Sequence, residues 1–166
     1  SFLSVNLAVA LSRQGSRVLL VDGDLGGANL HTLLGMSPPL VTLSDFITRK
    51  SELDALAVDT PFRNLKLIAG ALDDLHAANP HHASKLRLLR HLNAFDTDYL
   101  VMDLGAGSAF NTLDLFLLAD DGILVVTPDP SSIENAYRFL RAAFLRRLRW
   151  VEDGLAIKSL VDDARN

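Results

Sequence analysis

The sequence predicts an α/β fold: a doubly wound, mostly parallel sheet with helices on both faces, carried by one domain of 166 residues. Three observations predict it. Short, almost continuously apolar runs alternate with longer segments of helical periodicity, the alternation that builds a parallel sheet. The runs lack an in–out pattern, as strands covered on both sides do. Most of them end in aspartate or in Thr-Pro-Asp-Pro, so topology alone would gather polar groups at the carboxyl edge of the sheet, where open α/β sheets bind ligands.

The elements follow in order. Phe2–Gln14 places apolar residues at helical spacing and stops at Gly15, a helix C-terminal signal. Arg17–Asp22, "RVLLVD", is the first strand, and Leu65–Ala69, "LKLIA", the second. Ala83–Phe95 carries leucines and basic residues as a helix. Tyr99–Asp103, "YLVMD", and Gly122–Thr127, "GILVVT", complete the strands. Ser131–Arg149 is a helix opened by Pro130-Ser131-x-x-Glu134, the spacing of a capping box. Ser37-Pro38-Pro39 and Asn79-Pro80-His81-His82 read as loops rather than domain linkers. No internal repeat or low-complexity tract interrupts the pattern.

Composition narrows the function. A hydrophobic content of 49% over this length supports one core without staples. A net charge of -4 argues against a globally basic nucleic-acid binder, though not against a local patch. The absence of cysteine removes disulfides, zinc–thiolate sites, iron–sulfur ligation and cysteine nucleophiles from these residues, and it fits a reducing cytoplasm. No apolar run is long enough to span a membrane. The apolar opening "SFLSVNLAVALSRQG" lacks the basic leader of a signal peptide.

Asp22 and Asp24 end the first strand, and Asp103 ends "YLVMD" just before Gly105-Ala106-Gly107. If strand geometry persists, Asp22 and Asp24 face the same side. Hard oxygen ligands of this kind suit magnesium, which keeps several waters and completes its shell with substrate phosphates. The glycines of "DLGAG" can bring backbone N–H groups close to a phosphate. Aspartates at such positions also cap helices and form turns. It is the convergence of all three at one sheet edge that favours a site.

"VLLVDGDLGGANLHTLLG", then "YLVMDLGAG", then "GILVVTPDPSSIENAY" resemble the MinD/ParA family of P-loop ATPases with a deviant Walker A loop, most of all its FlhG/FleN flagellar-number branch. The likeness covers roughly residues 1–145, and order and spacing together make it specific. It implies a P-loop NTPase fold and an ATPase that uses ATP and Mg2+. The family opens with a strand and a Lys-Gly-Gly-x-Gly-Lys-Ser/Thr loop, and Ser1 matches the last hydroxyl residue of that loop. The first strand, the glycines and both lysines are missing from these residues, which reads as a truncation.

By the resemblance, Asp24 would orient or activate the attacking water. Asp22 would sit in the outer magnesium shell and support the phosphate loop. Ser1 would ligate magnesium, and Asp103 would hold it through water as the Walker-B-like aspartate. Gly105 to Gly107 would sense the γ-phosphate, and Pro128, Asp129 and Pro130 would lie near the nucleoside. The family forms a homodimer around two ATP molecules. The resemblance further implies a regulatory protein partner, and either a membrane surface or nucleoid DNA as the place of action. The protein would be cytoplasmic, with attachment at the inner membrane as one option. Without its phosphate loop, the stretch Ser1–Asn166 is expected to bind ATP weakly.

Other features have plainer readings. Tyr137–Trp150, "YRFLRAAFLRRLRW", is a basic amphipathic segment that could meet an anionic membrane or nucleic acid, yet it also suits a sheet-covering helix with solvated arginines. His76, His81, His82 and His91 lack a ligand spacing and read as surface residues. "VEDGLAIKSLVDDARN" is helical and acidic where the family has an adenine-reading strand. The leading expectation is an ATP-driven switch that positions flagella, division machinery or DNA. The alternative is a non-hydrolysing scaffold that kept the fold and binds a protein partner.

Overall fold

The structure is a computed structural model that describes residues 1–24, 27–70, 82–107 and 110–163, without the side chains of 82–86, 110–111 and 152–163. Two compact units divide the chain, Ser1–Gly105 and Ala106–Asn166.

The first unit is built on β1 (Val18–Asp22), whose five residues are all buried. A strand so placed must be apolar on both sides, and Val18-Leu19-Leu20-Val21 is. β1 pairs in parallel with β3 (Leu65–Ile68) on one side and with β4 (Tyr99–Asp103) on the other. A two-residue strand, β2 (Val58–Asp59), adds to β3 in antiparallel sense, giving the order β2-β3-β1-β4. β2 is too short to leave a sequence pattern; the Lys66 Nζ to Asp59 Oδ1 contact of 3.0 Å crosses that pair.

The period-2 geometry of β1 splits the core. Val18 and Leu20 point into a cluster with Val5 and Ala8 of α1 (Phe2–Arg13), Leu30 of α2 (Leu30–Leu33), Leu34, Leu65 and Leu67. Leu19 and Val21 point to the opposite face. There they meet Leu43 and Phe46 of α3 (Leu43–Ile47), Leu53 and Leu56 of a 3-10 turn, and Leu88 and Leu92 of α4 (His82–Asn93). Helices thus cover both faces. Each fully buried leucine contributes roughly 2 kcal/mol of transfer free energy, so the two faces are held with comparable strength.

Arg17, at the entry to β1, fixes the register against β4. Its backbone N–H donates to Asp98 Oδ2 at 2.7 Å, and its guanidinium reaches Asp98 Oδ1 at 2.8 Å and Asp96 Oδ1 at 2.6 Å. With Val18 opposite Tyr99, the register carries Asp22 directly opposite Asp103 at the far end.

The second unit pairs α5 (Phe110–Leu118) with the long α6 (Pro130–Asp163). Phe116 meets Phe139 edge to face, with ring centroids 4.9 Å apart. Arg146 forks onto Asp114 with contacts of 2.8 and 3.1 Å, and both groups are at most part-exposed. The segment Gly122–Thr127 differs from its expectation. It is not a strand, and Ile123 and Val125 are 62% and 68% exposed. A strand needs a neighbour's backbone groups, and this unit holds no other described strand to supply them.

The start of α6 also differs. Asp129, not Ser131, is the N-cap: its Oδ1 accepts the Ser132 N–H at 2.9 Å and the Ser131 hydroxyl at 2.6 Å, and Pro130 takes the first helical position. Glu134 pairs with Arg138 one turn on instead of closing a capping box. The arginine-rich stretch and most of the acidic tail form one helix through Asp163. The expected loop at Asn79-Pro80-His81 and the residues His76 and His81 lie outside the described residues.

Candidate functional site

The carboxyl ends of β1 and β4 lie side by side, and the two strands leave the sheet almost touching. The Gly23 N–H donates to the Asp103 carbonyl at 2.7 Å. A Cβ at position 23 would sit 2.9 Å from that same oxygen, closer than side-chain carbons come to backbone, so only glycine permits the approach.

Asp22 is 1% exposed, yet it is surrounded by donors. Its Oδ1 accepts the Asp24 N–H at 3.2 Å, and its Oδ2 accepts the N–H groups of Asn29 and Leu30 at 3.0 and 3.2 Å. The carboxylate therefore closes the loop between β1 and α2 from inside. Burial pushes its pKa up, and these backbone donors only partly offset the effect. The geometry departs from the expected shared face of Asp22 and Asp24: β1 ends at Asp22, so strand alternation does not extend to position 24.

Asp24 instead lies against glycines. A Cβ on Gly105 would come within 2.8 Å of Asp24 Oδ1, and one on Gly27 within 3.0 Å of Oδ2. The carboxylate of the first loop is thereby lodged at the glycine that follows β4, half-buried rather than solvated.

Asp103 is 5% exposed and faces the head of α1. The Ser4 hydroxyl donates to its Oδ1 at 2.6 Å, and the main-chain nitrogen of Ser1 lies 3.1 Å from the same oxygen. Burial acts to raise the Asp103 pKa, but the hydroxyls of Ser1 and Ser4 together with the positively charged Ser1 nitrogen outweigh it, and the carboxyl is held below its usual value.

The structure thus brings Ser1, Asp22, Asp24, Asp103 and Gly105 to one corner of the first unit. Gly107, Pro128 and Asp129 belong to the second unit. There Gly107 takes a φ of 102°, Pro128 is exposed, and Asp129 caps α6. Sequence reasoning missed Ser4. The available signal was its spacing: three residues after Ser1, it shares that residue's face of α1.

Among the described residues no three His, Cys, Asp or Glu side chains converge as a metal cage. The donor set at the corner is hydroxyl and carboxylate oxygen, with Asp22 already accepting three backbone N–H groups. Such a corner suits a hard cation that brings water and phosphate ligands with it, not one held by protein alone.

Comparison with known proteins gives the family. Residues 1–143 match the model of the CobQ/CobB/MinD/ParA nucleotide binding domain. The antiactivator FleN of Pseudomonas aeruginosa is 34% identical over 141 residues, which are 84% of this chain and 50% of FleN. The septum site-determining protein MinD of Pyrococcus horikoshii, solved with Mg-ADP, superposes with a TM-score of 0.71 at 30% identity, over 81% of this chain and 55% of that one. The MinC:MinD cell division complex of Aquifex aeolicus superposes with a TM-score of 0.69 at 25% identity, over 89% and 58%. The chain spans about half the length of these relatives. On its sequence and on the fold that carries the carboxylate corner, this chain belongs to the CobQ/CobB/MinD/ParA nucleotide-binding family.

Proposed function

We propose that these residues form the magnesium- and water-handling part of an ATP-driven molecular switch of the MinD/ParA type, one that positions flagella, division machinery or DNA. The observation that carries the reading is the corner itself: Asp24 packed on Gly105, and Asp103 held by the head of α1, at the carboxyl ends of adjacent parallel strands.

The roles follow from the environments. Asp24 sits on the glycine after β4 with its backbone tied to Asp22, a placement from which a carboxylate can orient or deprotonate an attacking water. Asp103 accepts the Ser4 hydroxyl and is suited to hold magnesium through water, with Ser1 as the hydroxyl ligand. Asp22 serves from the outer shell, since its oxygens are engaged by amides, and it fixes the loop that carries Asp24. The cation, when bound with nucleotide, would offset phosphate charge. Gly105, which follows β4, would read the γ-phosphate.

The phosphate-holding lysines are not supplied by Ser1–Asn166, so activity is assigned to the complete protein. Its ATP-bound form would be a homodimer; that it takes a regulatory protein partner is supported by the MinC:MinD complex of a relative. Its place of action is a membrane surface or nucleoid DNA, reached from the cytoplasm. The described helices include none long and apolar enough to cross a membrane. The test is ATP turnover by the complete protein with and without Mg2+. Magnesium-dependent release of phosphate is expected. ATP binding without any turnover, under all magnesium concentrations, would favour the non-hydrolysing scaffold instead.

A further inference from the structure

We propose that Ser4 is a positioning residue that holds the Asp103 carboxylate in place for the divalent cation, and that it does so while Ser1 is engaged elsewhere. The inference rests on the ATPase reading above and adds to it a residue outside the Ser/Thr that the resemblance points to.

Three observations converge on Ser4. Its hydroxyl donates to Asp103 Oδ1 at 2.6 Å, the short distance typical of a hydroxyl bound to an ionised carboxylate. The contact bridges 99 residues of sequence and ties α1 to the end of β4, so it is not a local helix bond of the kind serine usually makes. Ser4 is part-buried one turn below exposed Ser1, whose main-chain nitrogen lies 3.1 Å from the same Asp103 oxygen.

The two serines therefore have separable tasks. A cation arriving with phosphate would draw the Ser1 hydroxyl to itself, at the exposed head of the helix. Ser4 lies one turn deeper and cannot follow, so its bond to Oδ1 persists. A carboxylate accepts about four hydrogen bonds. One fixed donor on Oδ1 therefore sets the rotation of the group and leaves capacity for a metal-bound water. Without Ser4, a largely buried carboxylate would be left free to turn, and the cation would have to order it.

The test measures ATP turnover and ATP binding by the complete protein as functions of Mg2+ concentration, for wild type, Ser4→Ala, Ser4→Thr, Asp103→Asn and the Ser4→Ala/Asp103→Asn double variant. Alanine is a strong helix former, so Ser4→Ala is expected to fold, and to melt somewhat below wild type for the bond lost from a largely buried carboxylate. Its half-saturating Mg2+ concentration should rise roughly tenfold or more, the scale of one hydrogen bond to a charged group. ATP binding in EDTA should not change. Ser4→Thr should restore the wild-type magnesium response. In the Asp103→Asn background, Ser4→Ala should add nothing.

A Ser4→Ala variant with the wild-type magnesium response would overturn the assignment, as would an equal rise in the Asp103→Asn background, because the effect would then not pass through Asp103. That second comparison also cancels any effect of Ser4→Ala on folding. A wild-type protein without magnesium-dependent turnover would remove the ATPase reading itself, an outcome distinct from either.

Discussion

Asp22, Asp24 and Asp103 are the same residue type within one corner, and their surroundings make them three different groups. Asp22 is buried among amides and braces a loop; Asp103 is held by the head of α1; Asp24 rests on glycine. The sequence made the convergence legible, because strand ends of a parallel sheet share an edge, but not the division of labour. That division depends on which donors the loop after β1 folds back to offer, and Asn29 and Leu30 carry no local signal for it. The account makes a direct prediction for Gly105. A methyl group there would lie 2.8 Å from Asp24 Oδ1, so the carboxylate must move, and as the end of a flexible side chain it can. Gly105→Ala in the complete protein should therefore leave the melting temperature near wild type while turnover falls on the order of 10²-fold, the usual effect of misplacing a catalytic group by about an ångström. Steady-state kinetics beside a thermal melt separates the two.

At the level of elements, β1, β3, β4 and α1 follow the apolar pattern closely, because each is specified by its own burial. α6 shows where local reading stops. Pro130-Ser131-x-x-Glu134 satisfied the capping-box spacing, but Asp129 competes for the same amides and wins, with a carboxylate that also accepts from Thr127 and Ser131. Those donors hold the Asp129 pKa down at about 2, from an ordinary 3.8, with the Ser131 hydroxyl the largest cause. The sign follows from linkage. A carboxyl whose pKa is lowered on folding stabilises the helix fully above its unfolded value, and the contribution is lost as pH falls through the folded value. Asp129→Ala should thus lower the melting temperature at neutral pH by roughly 4 °C, the scale of one lost N-cap. The gap between variant and wild type should close between about pH 4 and pH 2. Paired melts followed by circular dichroism across that range check it; a gap independent of pH would show that the cap is not the ionised carboxylate.

For the whole molecule, the fold class was legible because the alternation of buried strands and helices is a property of the chain itself. What escaped was pairing between distant segments. β2 is two residues long and exists only because β3 offers an edge, while Gly122–Thr127 has the composition of a buried strand but no described strand in its unit to pair with. Function stands in the same relation to sequence. The carboxylate corner is complete within Ser1–Gly105, whereas the phosphate-loop lysines are not among these residues, and the matched relatives are about twice as long. The central claim is that the corner handles water and magnesium rather than nucleotide affinity. The measurement that tests it most directly is ATP binding and ATP turnover by the complete protein carrying Asp24→Ala, side by side with wild type. Magnesium-dependent ATP binding near the wild-type level, with turnover reduced at least about 10²-fold as for loss of a general base, is the predicted result. Turnover at the wild-type rate would contradict the account.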